Sequence, residues 1–247
     1  RRPSTEGLDL LFYALNPQVH AFDNSSLVET LEGQGWTVQS ARRFAGGLPI
    51  AVSPVTLKPR FAPARRAASE LPPQVDVRQM SLFGAGWTLG SLKHLAESGA
   101  ASVTYYETTG WLGVMETEAG PPLPDRFRSE RGTVFPMYHV FADVGAFAGG
   151  QVIPTQSSDP LTVDGLALRH NGRTRILLAN FTDQSQTVTV GPLAQRVAVR
   201  QIDETNAEAA MADPESFRDQ HGTIVSTERG NLPLTLRPFA VACVDTG

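Results

Sequence analysis

The sequence predicts an α/β fold joined to an all-β one: the C-terminal part of a (β/α)8 barrel, about three β/α units over residues 1–149, then an antiparallel β-sandwich over residues 150–247. Three observations carry this. Strand-like and helix-like segments alternate through the first half, as in units wound around a parallel sheet. Beyond Gly149-Gly150 the pattern changes to short β-rich runs separated by turn residues. The 41% apolar fraction and 19% charged fraction are those of a chain that folds.

Leu8 to Leu15 is a nearly continuous apolar run, expected of a strand covered on both faces, and Asn16-Pro17 ends it. Ser26 and Glu29 form a capping box, so a helix begins near residue 26 with Leu27, Val28 and Leu31 on its inner face. Leu48 to Leu57 is the second strand, and Phe61 to Pro73 is an excursion from its C-terminal end. Leu89, Leu92, Leu95 and Ala96 mark a helix from Trp87 to Ser98 that ends at Gly99, and Ala101 to Tyr106 is the third strand. Gly84-Ala-Gly86 reads as a turn, since it lacks the third glycine of a dinucleotide fingerprint. Pro136 opens a further helix running to Gly145.

In the second half the expected strands are 161–168, 174–180, 187–190, 196–202, 223–226, 232–236 and 239–244, with one helical turn in 206–217 interrupted at Pro214. The sandwich has no tryptophan to form a stacking platform, so its expected role is to pack against the barrel. Three β/α units do not close a barrel of eight, and the chain opens without Met. A fragment of a longer chain is therefore expected, its partner being the upstream barrel half; the alternative is a small domain of three or four parallel strands.

Composition excludes several functions. A net charge of -4 argues against nucleic acid, and the pairs Arg42-Arg43 and Arg65-Arg66 read as solvated faces. No run reaches the roughly 18 apolar residues of a membrane span, and no apolar leader follows Arg1. Cys243 is the single cysteine, in a strand-like run, so it reads as core filler and suits a cytoplasmic location. Asn180-Phe-Thr182 matches a glycosylation triplet that is idle without secretion. The five histidines are scattered, so neither a metal nor another cofactor is expected.

In a parallel barrel the strand C-termini share one face, which gathers Asn16 to Asp23, Thr56 to Arg60 and Glu107 to Trp111. Glu107, flanked by Tyr105, Tyr106 and Trp111, is the leading candidate for a catalytic carboxylate; the alternative is a structural ion pair with Lys58 or Arg60. His20, in a loop begun by the rigid Asn16-Pro17, is a candidate proton donor. Asp23 reads as a helix N-terminal carboxylate. Only Lys58 and Lys93 accompany 19 arginines, and Lys93 falls on a helix face.

The strings Asn16-Pro-Gln-Val-His-Ala-Phe-Asp23, Ser53-Pro-Val-Thr-Leu57, Tyr105-Tyr-Glu-Thr-Thr-Gly110 and Pro136-Met-Tyr-His-Val140, in that order before a β-rich tail, resemble the D-apionate lactonase family. The resemblance implies a glycosidase-type barrel with a C-terminal β-sandwich that opens a five-membered sugar lactone to its aldonic acid, with strands six to eight supplied here. A retaining glycosidase would place its nucleophile at the end of the second strand of this segment, where Thr56-Leu57-Lys58 offers no acid. Under this resemblance Glu107 activates water, His20 donates a proton and Lys58 or Arg60 stabilises the oxyanion. Asn16, Gln18, Arg60, Tyr105 and Trp111 are the candidate substrate contacts, and the ligand is a small carbohydrate or sugar lactone. A glycoside hydrolase and a non-catalytic carbohydrate-binding module, with Trp111 stacking on sugar rings, are the alternatives.

Overall fold

The computed structural model describes residues 4–60 and 67–247. The Arg65-Arg66 pair and part of the Phe61 to Pro73 excursion lie outside the described residues. Three strands, β1 (Leu11–Leu15), β2 (Ile50–Val55) and β3 (Ser102–Tyr105), form one sheet in the order β1-β2-β3. Both pairings are parallel, with Leu11 opposite Ile50 and Ala51 opposite Ser102.

Two long helices cover one face of this sheet. Helix α1 (Asn24–Arg42) starts two residues before the capping-box reading, because the Asp23 carboxylate accepts the Ser26 N–H at 2.9 Å and its hydroxyl at 2.8 Å. Those bonds hold the Asp23 carboxyl below its ordinary pKa. Helix α2 (Leu82–Glu97) is capped by Ser81. The Tyr13 hydroxyl bonds Thr37 of α1, and the Tyr105 hydroxyl bonds Ser91 of α2, so alternate residues of β1 and β3 point at the helices. The residues between them point the other way: Phe12 is 73% exposed, and Ser53 and Thr104 bond each other on the same open face. The expectation of a first strand buried on both faces therefore fails: among the described residues nothing covers the second face.

The Gly84-Ala-Gly86 turn expected from the sequence is also a misreading. Both glycines lie inside α2, and Gly84 is there for close approach. A Cβ on Gly84 would sit 2.1 Å from the Arg78 carbonyl oxygen, whereas one on Gly86 would make ordinary contact with Ala179 at 3.4 Å. Gly84→Ala is therefore expected to destabilise the fold by about 1–3 kcal/mol in a urea titration, despite the better helix propensity of alanine.

After β3, Tyr106 takes a left-handed conformation (φ 49) and breaks the strand. A short pair, β4 (Glu107–Thr109) and β5 (Gly113–Met115), follows, and then α3 (Met137–Gly145). The chain between β5 and α3 is held by the buried Glu116 carboxylate, which accepts from the Thr117 N–H and the Ser129 hydroxyl, and by Phe127 packed on Trp111 and Phe135.

The second half is antiparallel throughout. One sheet orders β11 (Thr223–Ser226), β10 (Arg196–Ile202), β13 (Val241–Thr246), β8 (Arg173–Asn180), β7 (Val163–His170) and β6 (Gln151–Ile153) side by side; β9 (Gln186–Val190) pairs with β12 (Leu232–Leu236) in the other. All seven expected strands form, and only β6, three residues long, went unread. The expected single turn is two short helices, α4 (Ala207–Ala212) and α5 (Pro214–Asp219), because Pro214 sits at the N-terminus of the second, where its missing N–H costs nothing.

The two sheets close on Val163, Val197, Val199, Leu232, Leu236 and Val244. The outer face of the larger sheet gives Leu166, Leu177, Ala179, Val241 and Cys243 to a second core with Trp87, Leu89 and Leu95 of α2. Helix α2 is thus packed between sheet and sandwich, which explains why it is buried on nearly every side. At this junction Lys93 of α2 bonds Asp164 of β7, both almost fully buried, with His94 Nε2 3.5 Å from the other carboxylate oxygen. Burial pushes the Asp164 pKa up, but the bonds from His94 and Lys93 outweigh it and hold the carboxyl below its ordinary range. Lys93, read as lying on a helix face, is instead an inter-domain tie. Asn180, in the glycosylation triplet, is fully buried and donates to the carbonyls of Gln184, Leu236 and Arg237.

A second tie is His139 of α3, whose Nε2–H donates to the Ala210 carbonyl of α4 at 3.1 Å. Burial drives its pKa from about 6.5 down to about 4, helped by Arg218 and Arg200. The folded state therefore takes up a proton there less readily than the unfolded chain, so stability present above pH 6.5 is lost as pH falls towards 4. By linkage this amounts to about 2–3 kcal/mol. His139→Gln is expected to flatten that part of the stability profile, measured by urea titrations from pH 7 to 4.

Candidate active site at the strand ends

Parallel pairing puts the C-terminal ends of β1, β2 and β3 on one edge. Thr56 N–H donates to the Leu15 carbonyl at 3.1 Å, Arg60 N–H to the Gln18 carbonyl at 2.8 Å, and Tyr106 N–H to the Val55 carbonyl at 3.4 Å. His20 follows β1, Lys58 follows the central strand and Glu107 follows β3, and all three are exposed. Among the described residues the Glu107 carboxylate forms no ion pair.

The loops are fixed from behind by a clamp that sequence reasoning missed. Arg78 donates to both Asp76 oxygens at 2.9 and 2.6 Å, to the Phe22 carbonyl at 2.8 Å, to Asn24 Oδ1 at 3.2 Å and to Gln18 Oε1 at 3.0 Å. Gln18 in turn donates to the Leu57 carbonyl and to Asp76. One part-buried network thereby ties the loop after β1 to the end of β2. The only trace of it in the sequence is the Asp-x-Arg spacing of Asp76 and Arg78, because Gln18 lies 58 residues from Asp76.

Two expected substrate contacts are used elsewhere. Gln18 is 1% exposed, and its amide is engaged at both ends by Leu57, Asp76 and Arg78. Tyr105 faces α2, where burial pushes its phenol pKa up while Ser91 takes its hydroxyl; the Tyr106 hydroxyl meets Thr88 in the same way. Both tyrosines serve the sheet–helix interface. Asn16 is half-buried, Arg60 is exposed, and Trp111 is half-buried with its ring edge-to-face on Phe127 at 6.4 Å. Among the described residues no three His, Cys, Asp or Glu side chains cluster as metal ligands, and no helix is long and apolar enough to cross a membrane.

The exposed groups of this edge are a carboxylate, an imidazole and cations. Together they can activate a water, protonate a leaving oxygen and neutralise an oxyanion.

The chain is similar to carbohydrate-processing proteins. A D-apionate lactonase from Brucella anthropi is 27% identical over 197 residues, which cover 77% of this chain and 30% of that protein. This chain thus spans about a third of the curated relative's length. Among solved structures, the α-L-arabinofuranosidase of Thermotoga maritima matches with a TM-score of 0.63 at 12% identity, covering 98% of this chain and 53% of that one. CelM2, a bifunctional glucanase-xylanase from a metagenome library, matches with a TM-score of 0.60 at 12% identity, covering 96% and 43%. These likenesses establish the fold: part of a glycosidase-type barrel followed by a sandwich. The family model described as "D-apionate lactonase, TIM barrel domain" matches residues 1–149, and "D-apionate lactonase, C-terminal immunoglobulin-like domain" matches residues 160–244. With more than half of its length matched in this way, the chain belongs to the D-apionate lactonase family.

Proposed function

We propose that this chain is the C-terminal part of a carbohydrate lactonase, with residues 1–149 contributing the last three β/α units of the catalytic barrel and residues 150–247 a sandwich that braces them. The observation that carries the reading is the parallel order β1-β2-β3, which brings His20, Lys58 and Glu107 to one edge. The open sheet face around Phe12 supports an upstream barrel half as the partner, since parallel sheets are covered on both faces. The lone, buried Cys243 fits a cytoplasmic location.

In the proposed reaction Glu107 takes a proton from water as the oxygen attacks the lactone carbonyl carbon. Lys58, with Arg60 beside it, holds the resulting oxyanion. The intermediate collapses by breaking the bond between that carbon and the ring oxygen, which receives a proton from His20, and the aldonic acid leaves. Asn16 and Trp111 remain as candidate contacts to the sugar. No acid stands at the end of β2, where a glycosidase nucleophile would be, and this favours ester over acetal chemistry.

The test is turnover by the complete enzyme on aldonolactones and on aryl glycosides in parallel. Lactone opening that depends on Glu107 supports the reading. Glycoside cleavage without lactone opening, or saturable sugar binding without turnover, contradicts it.

A further inference from the structure

The outer face of the larger sandwich sheet carries a concentration of cations that the strand-end chemistry does not use. Arg173 and Arg175 on β8 are two residues apart, and Arg196 and Arg200 on β10 are four apart, so the period of two puts each pair on a single face. Strand β13 lies between them, with Asp245 opposite Arg175 and Cys243 opposite Arg200. Arg218 of α5 completes the wall of a cleft of about 610 Å3 that shares no residue with the strand-end edge.

The guanidinium groups are held in place. Arg175 grips Asp245 with two bonds of 2.7 Å, and Arg175, Arg200 and Arg218 converge on the buried Asp143 of α3 at 3.4, 2.6 and 3.0 Å. The Phe147 ring backs Arg175 and Arg173, and Phe217 backs Arg200. Charge is not balanced. Five guanidinium groups face the side-chain carboxylates of Asp143 and Asp245, with Gly247 also on the lining beside Arg173, so cations outnumber the acids, and Arg200 Nη1 is buried with no hydrogen-bond partner among the described residues. Arg173 and Arg196 stand exposed at the mouth, and among the described residues neither forms an ion pair. Fixed, partly desolvated cations in excess of their counter-charges are what bind an oxyanion tightly.

We propose that this cleft is a binding site for a small organic anion carrying at least two negative charges, such as a phosphate monoester or a dicarboxylate. The cleft exceeds a bare oxyanion and falls within the range that holds small metabolites. Arg196 and Arg173 meet the anion at the mouth, and Arg200 and Arg218 meet it within.

The experiment is isothermal titration of the whole protein at fixed ionic strength with glycerol 3-phosphate, with malonate and with acetate. Saturable one-to-one binding of the phosphate ester or of malonate, weakened about tenfold or more in R196Q and R173Q, is the expected result. Which of the two binds tighter identifies the source of the charge. Both variants alter exposed side chains, and an unchanged melting temperature shows that they fold. The proposal is overturned if neither dianion saturates, if acetate binds as well as the dianions, or if both variants bind like the parent.

Discussion

Glu107→Gln in the complete enzyme is expected to lower kcat/KM for lactone opening by about 10²–10⁴, the usual weight of a positioned general base. The glutamine keeps the shape of the side chain and removes its ability to accept a proton from water. Because Glu107 is exposed and forms no ion pair among the described residues, the substitution leaves the melting temperature unchanged, so the loss reads on chemistry alone. Steady-state kinetics of parent and variant check this. Turnover within a few-fold of the parent would remove Glu107 from its role.

Lys93→Met is expected to destabilise the fold by about 3–5 kcal/mol, because it leaves the Asp164 carboxylate buried without its counter-charge. Asp164 is 3% exposed, and its remaining contacts are the Gly165 N–H at 2.9 Å and His94 at 3.5 Å. Lys93→Met combined with Asp164→Leu should recover most of that loss, since an apolar pair of similar volume replaces a buried ion pair at little cost. Urea titrations of the single and double variants, closed as a cycle, measure the coupling. A single-variant loss below about 1 kcal/mol would show that the pair is hydrated and does not tie α2 to the sandwich.

The contrast between Lys58 and Lys93 shows how far the sequence is legible. Both are lone lysines in an arginine-rich chain, yet one is exposed at the strand ends and the other is paired with a residue 71 positions away. Residue type was visible in the sequence, but the long-range partner was not. Local signals fared well for the same reason. Asp23 as an N-terminal cap, Gly99 in the left-handed conformation after α2 (φ 77), and the β-rich runs between turn residues that become β7 to β13 all depend on neighbours a few residues apart.

Gly84 misled because a glycine needed for close packing looks like one needed for a turn, and only the 2.1 Å approach to Arg78 separates the two. At the strand ends the sequence names residues but not the direction of each side chain. Gln18 and Tyr105 carry the polar groups expected of a sugar site, and those groups are spent on Asp76, Arg78 and Ser91.

The central claim is that the ends of β1, β2 and β3 form a single reaction edge. A crystal structure of the complete enzyme with the aldonic acid product bound tests it most directly. The product carboxylate is predicted within hydrogen-bonding distance of Lys58 or Arg60, with Glu107 and His20 on either side of it. A product bound at the opposite ends of these strands, or with Glu107 out of reach even through one water, would contradict it.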